Sequence, residues 1–561
     1  MKLACSGIKG AAWAMAATLW LCLPAPSVAE GQRDGSEGLR VEQRVEIGRR
    51  IYTEGILPSG ETITGVVQGD IPLTGKQVVC VYCHRRSGMG SMEGQEVVPS
   101  VTGEILYNPL RLTTSKPPFA PTLREAYTDD SLKRAIRDGI DASGKPFQPL
   151  MPRYPLSDQD LDGLIAYLKT LATGTAPGVE ERDIHFATVL ADSTDPGARK
   201  AMLDLMKTFF EQKNAETRHE SSRAEHAPWH KERIFGPYRK WVLHVWELSG
   251  PGESWAQQLE NRYREQPVFA VLNGVVPGSW QPIHEFCEGF QVPCLFPTTD
   301  LPVIDEEDFY TVYLSRGMTL EGEGIAHHLV VEGLSATPVV QVYRVGDQRG
   351  EAAAVALHRA LTSRGGSVTD IRLEAGDTLT EAFWTALGQG GDEIVAVLWL
   401  SRPDLDGLWQ VLGGDTGPQR VYLSTTFFGT DVKDLPVVSA NSLYFMHPQE
   451  LPGKIDRLLL RSTGWLRAKR IYAPDQKRVQ ANAYFALKMA GGALKEMYGY
   501  FSREYFLEGI EHMVDVAPYT SVYPRISLAP GQRFVAKGFY IARVSDDGNG
   551  RLEAVTGWTV P

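Results

Sequence analysis

The run Cys80-Val81-Tyr82-Cys83-His84 constrains this chain more than any other feature. Two thiols at this spacing can add across both vinyl groups of one haem, and the histidine that follows is placed to put an imidazole nitrogen on the iron. The competing reading is a CxxC redox or zinc pair beside an incidental histidine. No second cysteine pair lies nearby to complete a zinc site, so the pattern predicts a single covalent haem c.

The amino-terminal residues read as a secretory signal. Lys2 and Lys9 give a positive start, Ala11–Leu23 form a short apolar stretch, and Ser27-Val28-Ala29 supply small residues for cleavage before Glu30. A retained anchor is the runner-up, with an apolar run short for a span. Cys22 raises the question of a lipoprotein, but Trp20 and Leu21 are too bulky for a lipobox. No later segment is apolar enough to cross a bilayer. The expected location is therefore periplasmic, with residues 1–29 removed near Ala29. Cleavage takes away Cys5 and Cys22. Once Cys80 and Cys83 are committed to haem, Cys287 and Cys294 remain, and in an oxidising compartment they predict a disulfide; two buried free thiols are the alternative.

A length of 561 residues calls for two or three domains, and apolar and charged fractions of 43% and 22% are those of a soluble globular chain. The net charge of -11 argues against nucleic-acid binding, which needs a basic face. Helical spacing appears at Val41–Tyr52, Ser131–Arg137 and Ser157–Leu171, the last opening on a capping pattern, Ser157-Asp158-Gln159-Asp160. Ile56–Gln77 reads as an extended insertion or hairpin, and Gly31–Gly38 as a polar, mobile lead. Ala172–Gly178 reads as a linker.

Past the linker, short apolar runs alternate with helical patterns. Strands are expected at Phe186–Ala191, Trp241–Trp246, Val268–Leu272, Val292–Phe296, Pro338–Tyr343, Val368–Leu373 and Ile394–Leu400. Such alternation implies parallel sheets covered by helices, and the strands are too many for one compact sheet, so two α/β lobes follow. The run Tyr310–Gly317 is placed to cross between them. Phe534–Val544 and Leu552–Val560 flank a turn and read as a hairpin.

A haem held by one histidine needs a second axial group if it only passes electrons, and a soft thioether favours ferrous iron. Met151, in Pro149-Leu150-Met151-Pro152-Arg153-Tyr154, is the best candidate; Met89 and Met92 follow His84 too closely to reach the opposite haem face. Together with the capped helix ending in Ala166-Tyr167-Leu168, these motifs resemble the class I cytochromes c over about Val41–Leu171. The resemblance implies an all-α domain, taken as residues 40–172, with Cys80 and Cys83 as thioether links and His84 and Met151 as the two iron ligands. Arg85 and Arg86 read as solvated, with propionate pairing as the alternative. Filled axial positions imply outer-sphere transfer of one electron, not catalysis.

After a linker at 173–182, residues 183–561 resemble a type I periplasmic binding protein of the branched-chain amino-acid receptor class. The resemblance rests on Phe186-Ala187-Thr188-Val189-Leu190-Ala191, on Val271-Leu272-Asn273-Gly274 with Gly278-Ser279, and on Val292–Asp300. It implies a two-lobed α/β fold with Ser279, Thr298 and Thr299 as candidate ligand contacts, each of which could instead cap its own helix or turn. Asp192 and Ser193 rank lower. His219, His226 and His230 lie in a polar insertion and read as a solvated surface rather than a zinc site; His327-His328 reads as structural. The expected whole is a multidomain electron carrier. Its partners would be a periplasmic dehydrogenase donor, a cytochrome or oxidase acceptor, and a small-molecule ligand. A solute receptor for an ABC-type importer, or a redox-linked sensor with an accessory haem, is the alternative; a haem enzyme working on a substrate in the cleft is a third reading.

Overall fold

The computed structural model describes residues 31–68, 70–93, 96–111, 122–147, 150–171, 175–226, 239–305, 307–389, 394–412, 418, 420–433, 435, 442–497, 500–516, 521–529, 531–545 and 550–561. The expected signal, 1–29, lies outside them. The chain divides into two compact units: residues up to Cys80 with Thr128–Thr170, and Val81–Tyr127 with Leu171–Pro561. The division falls inside the CxxCH run.

Up to Leu168 the order is α1 (Gly31–Glu54), β1 (Thr64–Val67), β2 (Ile71–Thr74), α2 (Cys80–His84), β3 (Ser91–Glu93), β4 (Glu96–Val98), α3 (Gly103–Leu106), β5 (Leu110–Arg111), β6 (Thr122–Arg124), α4 (Asp129–Asp138) and α5 (Asp158–Leu168). In the first unit α1 crosses α5 closely. A Cβ on Gly48 would stand 2.1 Å from the carbonyl oxygen of Gly163, so only glycine fits there. Tyr52 and Tyr167 close the contact with ring centroids 5.4 Å apart. Thr128 and Ser131 form a reciprocal cap on α4, and Ser157 Oγ accepts from the Asp160 amide to start α5. The helix expected from Val41 begins at Gly31, inside the stretch read as mobile.

The expected all-α domain is not what these residues build. Strands β1 and β2 form an antiparallel hairpin, as do β3 with β4 and β5 with β6. Thr64, Val66, Val67, Ile71 and Thr74 are β-branched residues that pack poorly in helices, and Asp70 takes the left-handed conformation a tight reversal requires (φ 58°).

The first lobe carries β7 (Asp183–Ala191), α6 (Pro196–His226), β8 (Lys240–Leu248), α7 (Trp255–Glu265), β9 (Ala270–Leu272), α8 (Gln281–Gly289), β10 (Cys294–Leu295) and β11 (Thr311–Ser315). The second carries α9 (Gly317–Val331), β12 (Val339–Arg344), α10 (Gln348–Thr362), β13 (Val368–Leu373), α11 (Glu381–Gly388), β14 (Val395–Trp399), α12 (Leu408–Val411), β15 (Arg420–Ser424), α13 (Thr425–Phe428) and β16 (Leu443–His447). The chain then returns through α14 (Pro452–Leu458), α15 (Leu460–Ala468), α16 (Lys477–Glu496) and α17 (Arg503–Val514), and Leu459 between the first two joins Leu466, Phe485 and Phe506 in the first lobe's core. It ends on β17 (Phe534–Ala536), β18 (Tyr540–Val544) and β19 (Leu552–Ala554).

Both sheets share one plan. The first runs β17-β11-β10-β9-β7-β8 and the second β13-β12-β14-β15-β16-β18-β19. In each, the first five strands in chain order lie 2-1-3-4-5 and are parallel, the doubly wound arrangement that opens a crevice at the carboxyl ends of the strands. The crossing expected near Tyr310–Gly317 is there: β11 closes in the first sheet and α9 opens the second lobe.

One expectation is corrected in part. The expected hairpin is formed by Tyr540–Val544 with Leu552–Ala554, but its first strand is shorter than Phe534–Val544: Phe534–Ala536 pairs parallel with β11 in the first sheet, while Tyr540–Val544 also pairs antiparallel with β16 in the second. The described part of the linker segment packs on the first lobe. Arg503 donates to the Pro177 carbonyl at 3.1 Å, and Gly178 (φ 87°) approaches Phe269 so closely that a Cβ would stand 2.2 Å from its amide nitrogen.

Candidate haem site and inter-lobe cleft

Cys80, Cys83 and His84 occupy a single turn of helix, α2, with Cys83 exposed and His84 6% exposed. The turn stops because Arg85 enters the left-handed region (φ 64°). The chain then folds back over the histidine. The Gly90 amide donates to the His84 carbonyl at 3.1 Å, Ser91 Oγ to the Cys83 carbonyl at 2.7 Å, and Val101 to Gly88 at 2.7 Å. This return places the Pro99 carbonyl 3.0 Å from His84 Nδ1. A carbonyl can only accept, so Nδ1 carries the proton and Nε2 keeps its lone pair for a metal. Burial lowers the imidazole pKa and holds the ring neutral. The donor set fits a haem iron.

Met151 lies half-buried on a loop of the first unit. Arg153 and Val66 exchange both backbone hydrogen bonds (2.9 and 2.8 Å), and the buried Tyr154 hydroxyl donates to the Val78 carbonyl at 2.7 Å. The loop is thus pinned two and three residues beyond the methionine, to the segment leading into α2. Of the rival methionines, Met89 Sδ stands 4.0 Å from Ser100 Oγ, and the side chain of Met92 lies outside the described residues.

In the α/β part, a cleft of about 350 Å³ is lined by Ser279, Gln281, Leu301, Pro302 and Val303 of the first lobe and Gln348 of the second. Ser279 is thus at the cleft, but its Oγ accepts from the Gln281 amide at 3.1 Å and caps α8. Its own amide donates to Gln348 Oε1 at 3.1 Å, a latch across the lobes. Thr298 is buried, its Oγ accepting from Asn273 (3.3 Å) and Asn482 (3.2 Å); Thr299 Oγ accepts from the Leu301 amide at 3.0 Å. These hydroxyls already serve turns and packing. Asp192 and Ser193 are exposed, and Asp192 accepts from the Gly250 amide at 3.2 Å.

Beside the cleft is a polar group that the sequence did not reveal. Asp300 pairs with Arg478 at 2.7 Å and faces Arg349 of the second lobe at 3.9 Å. Burial works against charge on Arg478, but Asp300 outweighs it and holds the guanidinium charged. Glu321, 1% exposed, accepts from the Thr426 hydroxyl, and burial pushes its pKa up to about 7.

The comparisons with known proteins divide along the same line. Residues 74–172 match the family model of cytochrome c. A cytochrome c domain spans these residues. The family implies covalently bound haem c, and the CxxCH turn is inside the match. No curated protein is matched by the sequence. Among solved structures, the neighbours are type I periplasmic binding proteins. A fatty acid ABC transporter substrate-binding protein from Thermomonospora curvata is 14% identical, covering 69% of this chain and 95% of its own, with a TM-score of 0.45. A branched-chain amino acid ABC transporter protein from Thermus thermophilus with bound valine is 13% identical, covering 68% and 98%, with a TM-score of 0.46. The fold assignment rests on strand order, not on these scores. A cytochrome c domain is compatible with an extracellular or periplasmic protein, and no described helix is long and apolar enough to cross a membrane.

The cytochrome c domain holds one contact that sequence reasoning missed. Glu508 of α17 accepts from the Ser87 amide at 2.9 Å and from the Ser87 hydroxyl, partners 421 residues apart. No local pattern signals such a pairing. Cys287 and Cys294 are present as buried thiols hydrogen-bonded to one another, not as a bridge; burial pushes the Cys287 pKa up. Among the described residues, His284, Glu288 and Asp308 come close enough to hold a cation, yet each is committed. Glu288 accepts from the amides of Phe309, Tyr310 and Thr311, and His284 lies between Tyr313 (3.0 Å) and Asp308 (3.3 Å). His219 and His226 ride on α6, and His230 lies outside the described residues. His328 Nδ1 meets the Tyr422 hydroxyl at 2.9 Å within the second lobe, the structural role expected of it.

Proposed function

We propose that the protein is an exported monohaem c-type cytochrome that carries single electrons, with a two-lobed module that binds a small molecule or a protein partner. Haem bound here supplies reversible one-electron chemistry. Cys80 and Cys83 would tether it, and His84 Nε2 and the Met151 sulfur would ligate its iron. Pro99 fixes the tautomer and tilt of His84. Tyr154 and Arg153 hold the Met151 loop so that little rearranges as charge changes, which is what fast outer-sphere transfer needs. The observation that carries the reading is the buried His84 with Nδ1 spent on a backbone carbonyl and Nε2 left for iron.

The donor and acceptor we infer are periplasmic, a dehydrogenase on one side and a cytochrome or oxidase on the other. In that oxidising setting Cys287 and Cys294, already in hydrogen-bond contact, close to a disulfide. The solute-receptor reading keeps one observation in its favour, the open cleft between lobes at Ser279 and Gln348. The test is spectroscopic. Mature protein washed with acidified acetone keeps its colour, and the ferric form shows a weak far-red sulfur-to-iron band. A colourless polypeptide would overturn the electron-carrier reading, and a high-spin ferric spectrum would overturn Met151. Binding of a solute to the Gln348 cleft, with no exchange of electrons with any carrier, would favour the receptor.

A further inference from the structure

We propose that Glu508 on α17 is a proton-binding site coupled to the redox state of the haem site, acting through the loop that follows His84. The inference rests on the electron-transfer reading and adds a proton to it. Both carboxylate oxygens of Glu508 are held by one residue, Ser87, through its amide at 2.9 Å and its hydroxyl. Ser87 is 2% exposed and stands three positions beyond His84, so it lies within about 11 Å of the histidine along the chain. The intervening loop is stiff: His84 is tied to Gly90 and Pro99, and Ser87 Oγ accepts from the Met89 amide at 3.1 Å.

The surroundings leave Glu508 without a counter-charge. Among the described residues no cation pairs with it. On its own helix Glu504 takes the hydroxyls of Tyr310 (2.7 Å) and Ser502 (2.8 Å), and Glu511 is paired with Arg533. From the haem loop, Arg86 stacks 4.1 Å from the Phe309 ring centroid, and Arg533 lies 4.9 Å from the same ring. Burial, with Glu511 and Glu504 adding to it, raises the Glu508 pKa to about 7 against the opposing Ser87 hydrogen bonds. The group is therefore half-protonated near neutrality and responsive to a nearby unit charge.

The balance is simple. Each electron arriving from a reducing mediator lowers the local charge by one and raises the proton affinity of Glu508, so that a fraction of the carboxylates, up to about half for a tenfold change, take a proton from solvent and become the neutral acid. Withdrawal of the electron by an oxidant returns the proton. A Coulomb coupling of about tenfold in proton affinity is equivalent to about 59 mV for one electron.

Spectroelectrochemical titration of the full-length, haem-loaded protein from about pH 5 to about pH 9 tests this. The wild-type potential falls by about 59 mV overall, centred near neutrality. Glu508→Gln, which retains an acceptor for the Ser87 amide, gives a flat profile. Ser87→Ala, which strips a hydrogen bond from the carboxylate, moves the centre to higher pH. Redox-difference infrared spectra show a carboxyl band that vanishes in Glu508→Gln. A flat wild-type profile, or an unchanged slope in Glu508→Gln, overturns the inference. If that variant does not fold, an unmoved centre in Ser87→Ala overturns it instead. A chain that never carries haem fails the electron-transfer reading, a separate outcome.

Discussion

The haem turn and the inter-lobe cleft are made in opposite ways. The turn is a local object: Cys80, Cys83 and His84 sit on five consecutive helical residues, and their spacing alone sets the chemistry. The cleft is assembled from the ends of strands and helices scattered over the chain, with Ser279 latched to Gln348 and Asp300 to Arg478. A local motif can be read from a string of letters. A site made by chain crossings reveals only the elements that deliver it.

Predictions that probe the contrast run from the haem turn outwards. Replacing Cys80 and Cys83 together with alanine abolishes covalent haem, read as complete loss of acid–acetone-resistant colour, while the α/β lobes still fold by circular dichroism. Met151→Ala keeps the colour but loses the far-red band and opens the iron to cyanide. Met89→Ala does neither.

How far each region was legible follows from the same contrast. CxxCH, the Met151 loop and the Ser157 cap are contiguous patterns, and their placement needed no knowledge of the rest. The alternating strands and the crossing after Ser315 were also visible, because buried parallel strands are continuous apolar runs. What sequence could not supply were bonds to backbone, such as Pro99 on His84, which leave no side-chain signature. Nor could it supply pairings like Ser87–Glu508. The three hydroxyls expected at the cleft show what local pattern omits: Ser279 lines it and accepts from the Gln281 amide, Thr298 accepts from Asn273 and Asn482, and Thr299 accepts from the Leu301 amide. The split of Phe534–Val544 between two sheets was hidden for a related reason, since two short strands in succession read as one long one.

The cleft's buried acid gives the next-largest effect. Glu321 has a folded pKa of about 7, above its unfolded value of 4.5. Its contribution to stability is therefore fully present below the unfolded value and is lost as pH rises through 7. Melting temperature should fall over that window, and Glu321→Gln should flatten the curve, with an upper bound of about 3 kcal/mol. In the first unit, Gly48→Ala forces a methyl group into the Gly163 carbonyl and should cost about 2 kcal/mol in urea unfolding. Smallest is Gln348→Ala, which removes the hydrogen bond to Ser279 at about 1 kcal/mol and should show as faster amide exchange at Ser279. If it instead altered the haem spectrum, the separation of the two regions drawn above would fail.

The closing strands carry a consequence for biogenesis. Because β17 borders β11 and β18 borders β16, neither sheet is finished until residues 534–544 have been synthesised. A nascent chain stopped short of them would display two bare, apolar strand edges at once, an invitation to pair with a neighbour. Completion of both lobes is thus deferred until the closing strands have been synthesised.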